Sequence, residues 1–154
     1  MKNSKMFFED FEIGLVFNTG SKKITKDEII SFAKNYDPQY FHVDENKART
    51  SQFNGLIASG WHTCCIVMRL MCDSYLLDTD SMGSPGLENV KWLEPVRPGD
   101  TLKVFRTVLE SKESRSKKHM GILKLLFEAF NQKNELVFST ITIQMVGRKV
   151  RKIS

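Results

Sequence analysis

Two side chains in the first third of the chain have the types and the spacing to move a proton. In the run YDPQYFH, Asp37 and His42 lie five residues apart. Asp37 precedes Pro38, which pushes it off helical angles, so the pair belongs to an irregular stretch rather than to a helix face. A carboxylate and an imidazole on one loop can hold a water between them. The carboxylate takes its proton, and the imidazole orients or returns it. Plainer uses compete, because aspartate before proline is an ordinary turn residue and a histidine can simply bond a backbone group. Further on, Ser59-Gly60 opens an apolar run, and Ser59 is a good N-cap type. Free N–H groups at a helix start, aided by the helix dipole, stabilise negative charge on an oxygen. Gly60 lets a carbonyl approach the backbone closely, or merely permits a tight entry to the helix. An acid/base pair beside a helix N-terminus is the equipment for polarising a carbonyl while water is added or removed.

The elements that must hold these residues follow from patterning. Residues 7–18 read as a short opening segment with a turn near Gly14. Thr25-Lys26-Asp27-Glu28 matches a capping box, and Ile29, Phe32, Ala33 and Tyr36 recur behind it, predicting a helix from about Lys26 to Asn35. Residues 37–59 form a long connector with little periodicity, a length that is often functional. A second helix runs from Ser59-Gly60 to about Leu77. Trp61, Cys64, Cys65, Met68, Cys72 and Tyr75 make one stripe on it, with Ile66, Val67 and Leu70 on other faces, which predicts a buried helix. Then Pro, Gly and Asp punctuate SPG (84–86) and PVRPGD (95–100). Strands are predicted at Leu87–Leu93, Thr101–Glu110, Met120–Phe130 and Leu136–Val146. The Thr101 run alternates poorly. The last run alternates best, with Val137, Ile141, Ile143 and Met145 against Thr140, Thr142 and Gln144. Asn131–Asn134 reads as a hairpin loop. Helices first and an antiparallel meander after, with one helix too apolar for any surface, describe an α+β domain whose curved sheet wraps a central helix.

Totals set the bounds. A chain of 154 residues is one domain's worth, and 41% hydrophobic with 27% charged residues is a globular balance. Cys64, Cys65 and Cys72 fit no disulfide or metal-ligand spacing, pointing to a reducing compartment and no metal site. The start, MKNSKMFFEDFEIG, has no long apolar run, and His62, Arg69 and Asp73 interrupt the greasiest window, Leu56–Leu77, so neither a secretory signal nor a membrane span is expected and a cytoplasmic location is the default. Net charge is +5, concentrated in Lys112–His119 and a tail from about Arg148. Both clusters are short and lack aromatics to stack on bases, so a solvated surface or a phosphate-bearing small ligand fits better than nucleic acid.

The run YDPQYFHVDENKARTSQFNGLIASGWHT, followed by GLENVKWLEPVRPGDTL, resembles the MaoC-like dehydratases, the (R)-specific enoyl-CoA hydratases, and the likeness covers roughly the whole chain. That resemblance implies a hot-dog fold in a homodimer with sites at the subunit interface, no metal or redox cofactor, and an acyl-CoA substrate. The implied reaction is reversible syn hydration of a trans-2-enoyl-CoA to an (R)-3-hydroxyacyl-CoA. Asp37 and His42 match the family's acid/base pair, and Gly60 matches the residue whose N–H binds the thioester oxygen. The chain departs from the pattern at Met68, where many members carry a small polar residue supporting the aspartate, and at Gln39, where many carry Asn. Gln39 or Ser59 is left to steady Asp37.

Ser59, Trp61, Gln39 and Arg97 are the candidates for substrate contact, Arg97 through CoA phosphates or else as a solvated turn arginine. His62 either lines the pocket or packs, and Trp92 and Phe105 read as core. Two further functions compete: thioester hydrolysis, for which Asp73 is the only acid on the second helix and comes late, and a non-catalytic acyl-CoA-binding module, which the positive charge would suit.

Overall fold

The structure is a computed structural model, described here for residues 5–149. After a short 3-10 turn at Phe8–Asp10, strand β1 (Val16–Lys23) leads into α1 (Lys26–Tyr36). The capping box forms as predicted: Thr25 Oγ1 accepts from Glu28 N–H at 3.2 Å, and Glu28 Oε2 accepts from Thr25 N–H at 3.0 Å. The connector carries two short helices, α2 (Tyr40–Val43) and α3 (Glu45–Arg49), before α4 (Gly60–Ser74) and a second 3-10 turn at Leu76–Asp78. Strands β2 (Gly86–Trp92), β3 (Thr101–Glu113), β4 (Met120–Phe130) and β5 (Leu136–Gly147) complete one five-stranded antiparallel sheet in the order β1-β3-β4-β5-β2. Helix α4 lies along one face of it: Leu70 reaches to 3.2 Å from where a Cβ on Gly20 of β1 would sit, and Tyr75 bonds Gln144 of β5. This is the α+β hot-dog arrangement. The core is one cluster between helix and sheet, built from Ile66, Val67 and Leu70 of α4 with Leu102, Val104, Leu125 and Phe127 of the strands.

The structure refines the readings of the opening segment, the connector and the later strands. Strand β1 has only Thr19 buried, and its register to β3 shifts at Asn18/Gly20 where Gly20 takes φ +124°, so its sequence carries no period-2 signal. In the connector, Asp44 starts α3 by accepting from Asn46 and Lys47 N–H. A single capped turn is too short to show a period. The poor alternation of β3 is real in sequence but not in burial: Leu102, Val104, Arg106 and Val108 all face inward, and Arg106 breaks the apolar pattern. On β5 the threonine side is the inward one, with Thr140, Thr142 and Gln144 buried while Ile141, Ile143 and Met145 are half-buried. The predicted loop at Asn131–Asn134 is a tight turn, with Asn134 at φ 61° and Asn131 Oδ1 accepting from Lys133 and Glu135 N–H.

Part of each basic segment is paired: Lys112 with Glu110, Arg148 with Glu9 and Glu113, Lys149 with Asp10. The rest of the basic tail lies outside the described residues. No helix of the described residues is long and apolar enough to cross a membrane.

Thr25→Ala should lower stability by about 1 kcal/mol in urea unfolding, the usual worth of an N-cap. Lys22 and the Thr25 backbone hold the Glu28 carboxylate at a pKa of about 2, below its ordinary 4.5. A depressed carboxylate pKa stabilises the fold above the unfolded-state value and loses that contribution as pH falls toward the folded one. Unfolding followed between pH 5 and pH 2 should therefore show a loss of stability that Glu28→Gln reduces.

Candidate active site

Asp37 ends α1. Its N–H still donates to the Ala33 carbonyl at 2.8 Å, and Pro38 forbids a further turn. Gln39 begins the next turn, placing His42 on α2 at 4% exposure. The two arms of the connector are tied together here, since Ile57 N–H donates to the Phe41 carbonyl and His42 Nδ1 lies 2.8 Å from the Ile57 carbonyl. A carbonyl only accepts, so Nδ1 carries a proton and Nε2 is the ring nitrogen left to face Asp37. That Nε2 stands 3.3 Å from Asp37 Oδ2. At that distance no water fits between the two atoms, but a water on the cavity side can touch both at once.

Asp37 is held on both oxygens. Ser59 Oγ donates to Oδ2 at 2.6 Å and Gln39 Nε2 donates to Oδ1 at 2.8 Å. Burial pushes the Asp37 pKa up, but these two donors and the neighbouring His42 outweigh it and keep the carboxyl below its ordinary range. Met68 is 47% exposed two turns along α4 and makes no part of this support.

Because the Ser59 hydroxyl goes to Asp37, it makes no cap bond to α4. The first N–H groups of a helix have no partner within it, and Gly60 N–H meets no acceptor among the described residues. The absent side chain of Gly60 has a definite occupant: an added Cβ would sit 2.6 Å from the Trp92 ring, whose Nε1 donates to the Gly60 carbonyl at 2.9 Å. The glycine therefore admits an indole as well as leaving its amide open. Trp92, expected in the core, is half exposed and covers the start of α4.

These residues line one cavity of about 420 Å³, with Asp37, Gln39, His42, Gly60, Trp61 and Trp92 on its wall. It is strapped to the sheet through the PVRPGD turn: Ala58 N–H donates to the Val96 carbonyl at 2.8 Å, and Arg97 Nη2 donates to the Phe53 carbonyl at 2.6 Å. Arg97 is thus engaged in bracing the connector, and Ser59 reaches the site through Asp37. His62 is buried and stacked on Phe32, centroids 4.8 Å apart, where burial lowers its pKa, while its neighbour Thr63 reaches the cavity. Phe105 packs on Phe130 on the outer face of the sheet. Asp73 is paired with Arg69 near the far end of α4. Among the described residues no cluster of three or more His, Cys, Asp or Glu has a metal-holding arrangement.

A family model described as the MaoC-like domain matches residues 10–128. The protein YdeM of Bacillus subtilis is 39% identical over 133 residues, 86% of this chain and 93% of its own. The crystal structure of a MaoC-like dehydratase from Rhodospirillum rubrum superposes with a TM-score of 0.86 at 37% identity, covering 95% of this chain and 99% of that one. The (R)-hydratase PhaJ1 of Pseudomonas aeruginosa shares the fold, with a TM-score of 0.76 at 21% identity over 97% of this chain and 93% of its own. The chain belongs to the MaoC-like dehydratase family.

Gly60→Ala should force the Trp92 ring off its seat and cost roughly 1–3 kcal/mol, as overpacking does. In a Trp92→Ala background the same change should cost much less. Chemical unfolding of the four proteins of that cycle measures the difference.

Proposed function

We propose that this protein reversibly hydrates a trans-2-enoyl-CoA to an (R)-3-hydroxyacyl-CoA. The observation that carries the reading is that Asp37 Oδ2 and His42 Nε2 face each other at 3.3 Å in the cavity whose wall includes the uncapped Gly60. A water on the cavity side touching both turns its own lone pair to C3 of a bound enoyl group. As Asp37 takes the water's proton, the hydroxyl bonds to C3 and the C2–C3 electrons shift toward the thioester oxygen. The Gly60 N–H at the positive end of α4 stabilises the charge that gathers on that oxygen. When the enolate collapses, C2 takes the proton back from the pair on the same face, giving syn addition with no net change in the protein. The reverse sequence removes water. None of these steps calls for a cofactor.

Ser59 and Gln39 are positioning residues in this scheme, holding the carboxylate ionised and aimed. The face of α4 bearing Trp61, Cys65 and Met68 is exposed, and so is most of edge strand β2, with Leu87 half uncovered. A second copy of the chain would cover this surface, which supports a homodimer. The described cysteines are unpaired, in keeping with a reducing, cytoplasmic setting.

With crotonyl-CoA as substrate, Asp37→Asn should reduce kcat by at least ~100-fold, the scale of general acid–base catalysis, as followed by loss of the enoyl absorbance. Undiminished turnover would remove Asp37 from the mechanism. Ser59→Ala deletes a donor that lowers the Asp37 pKa. The carboxylate then protonates at higher pH on the acid side, so the acid limb of the kcat/KM profile should move upward while the Gln39 contact keeps part of the activity.

A further inference from the structure

Asp37 closes α1 and Gly60 opens α4, so the geometry of the cavity depends on how these two helices are held together. Besides the Ser59–Asp37 hydrogen bond, they meet one turn further along α4. There the His62 ring stacks on Phe32 of α1, with centroids 4.8 Å apart and planes 11° from parallel. Phe32 in turn packs on Tyr36, the residue before Asp37, with centroids 5.0 Å apart. A run of rings thus leads from α4 to the neighbour of the base. The cavity wall includes Trp61 and Thr63 but passes over His62 between them, and none of the steps above uses this ring.

The seat of His62 suits a neutral ring. The residue is 7% exposed, and its Nδ1 is fully enclosed with no hydrogen-bond partner. A neutral imidazole can carry its proton on Nε2 and leave Nδ1 a bare acceptor. A charged imidazole adds an N–H at Nδ1, an enclosed donor with nothing to receive it. The charged groups that bear on the ring are Glu28 of α1 and Lys22 of β1, which are paired with each other at 2.6 Å. Their effects on the ring are opposite in sign, so burial prevails and holds the His62 pKa below its ordinary 6.5. A base whose pKa is depressed by folding favours the folded state while it is neutral. That contribution fades as pH falls from the unfolded-state value toward the folded one.

We propose that His62 is a positioning residue: stacked neutral on Phe32, it sets the end of α1 against the start of α4, and proton uptake by the ring releases that alignment. With the stack in place, the Ser59 hydroxyl meets Asp37 and the carboxylate faces the cavity. Without it α1 shifts and Asp37 loses the Ser59 donor. The proposal adds a pH control to the hydration site and rests on that reading for its rate measurements.

Crotonyl-CoA hydration would be followed from pH 5 to pH 8 in the wild type, His62→Ala, His62→Phe and Phe32→Leu, with the Asp37 carboxyl titrated by carbon NMR in each. His62→Ala should lower kcat roughly tenfold or more at pH 8 with little change in KM, the scale of a slightly misplaced catalytic group. His62→Phe puts back a ring that cannot take a proton. It should recover most of kcat and carry the acid limb of kcat/KM lower by about half a pH unit or more. Asp37 and His42 are common to both proteins, so the difference reads residue 62. Phe32→Leu removes the stack from the other side, should slow turnover as alanine does, and serves if a His62 variant does not fold. In the alanine and leucine proteins the Asp37 pKa should rise, as it should on loss of the Ser59 hydroxyl. An unchanged kcat and Asp37 pKa in those two proteins would overturn the proposal. A phenylalanine protein as slow as the alanine one, or with the wild-type acid limb, would also do so. If the wild type hydrates no enoyl-CoA, the hydration reading falls and the NMR titration decides this one alone: a raised Asp37 pKa supports it and an unmoved one ends it.

Discussion

The site depends on one hydrogen bond, from the Ser59 hydroxyl to Asp37 Oδ2 at 2.6 Å. Serine at a helix N-cap normally turns its oxygen onto the backbone N–H groups of its own helix. Here the hydroxyl, fully buried, donates across 22 residues of chain instead. One contact therefore steadies the base, lowers its pKa and leaves the start of α4 uncapped. The geometry elsewhere serves that arrangement. Pro38 stops α1 so that Asp37 faces the helix start, and the Ile57 carbonyl holds a proton on His42 Nδ1. The Val96 and Arg97 contacts tie the connector to the sheet.

An acid/base pair on an irregular connector is otherwise a poorly defined constellation, since loops carry few contacts to hold a side chain to a fraction of an ångström. This connector is tied arm to arm by the Ile57 N–H on the Phe41 carbonyl and to the sheet by the Ala58 N–H on the Val96 carbonyl, and by two buried side chains, His42 and Ser59, with Asp37 itself accepting from two directions. Trp92 adds a lid over the helix start. Its seat on Gly60 and its bond to the Gly60 carbonyl constrain the same backbone whose N–H is open to a substrate oxygen.

Much of this was legible in the sequence because its signals are local. The Thr25 capping box, the Asp37-Pro38 stop, the Ser59-Gly60 opening and the alternating later strands each depend on neighbours a few residues away. What was not legible depends on partners far along the chain. Strand β1 has an edge position and a bulge in place of a period. Trp92 is recruited to Gly60 from 32 residues away. The inward face of β5 is its threonine side, where Thr140, Thr142 and Gln144 line a groove of about 350 Å³ rather than packed core. The spacing of the stripe on α4 predicts burial, yet its Trp61–Met68 side is open in the single chain. An apolar stripe has the same spacing whether its cover is the chain's own sheet or another subunit, and periodicity carries no information on which.

The account's central claim is spatial: a water held by Asp37 and His42 on one side of an enoyl thioester, with its oxygen on the free amide of Gly60. The most direct measurement is a crystal structure of the Asp37→Asn protein with crotonyl-CoA bound. The account predicts the thioester oxygen about 3 Å from Gly60 N, with C3 turned toward residues 37 and 42. A thioester oxygen bound away from the start of α4, or C3 facing away from both side chains, would contradict it.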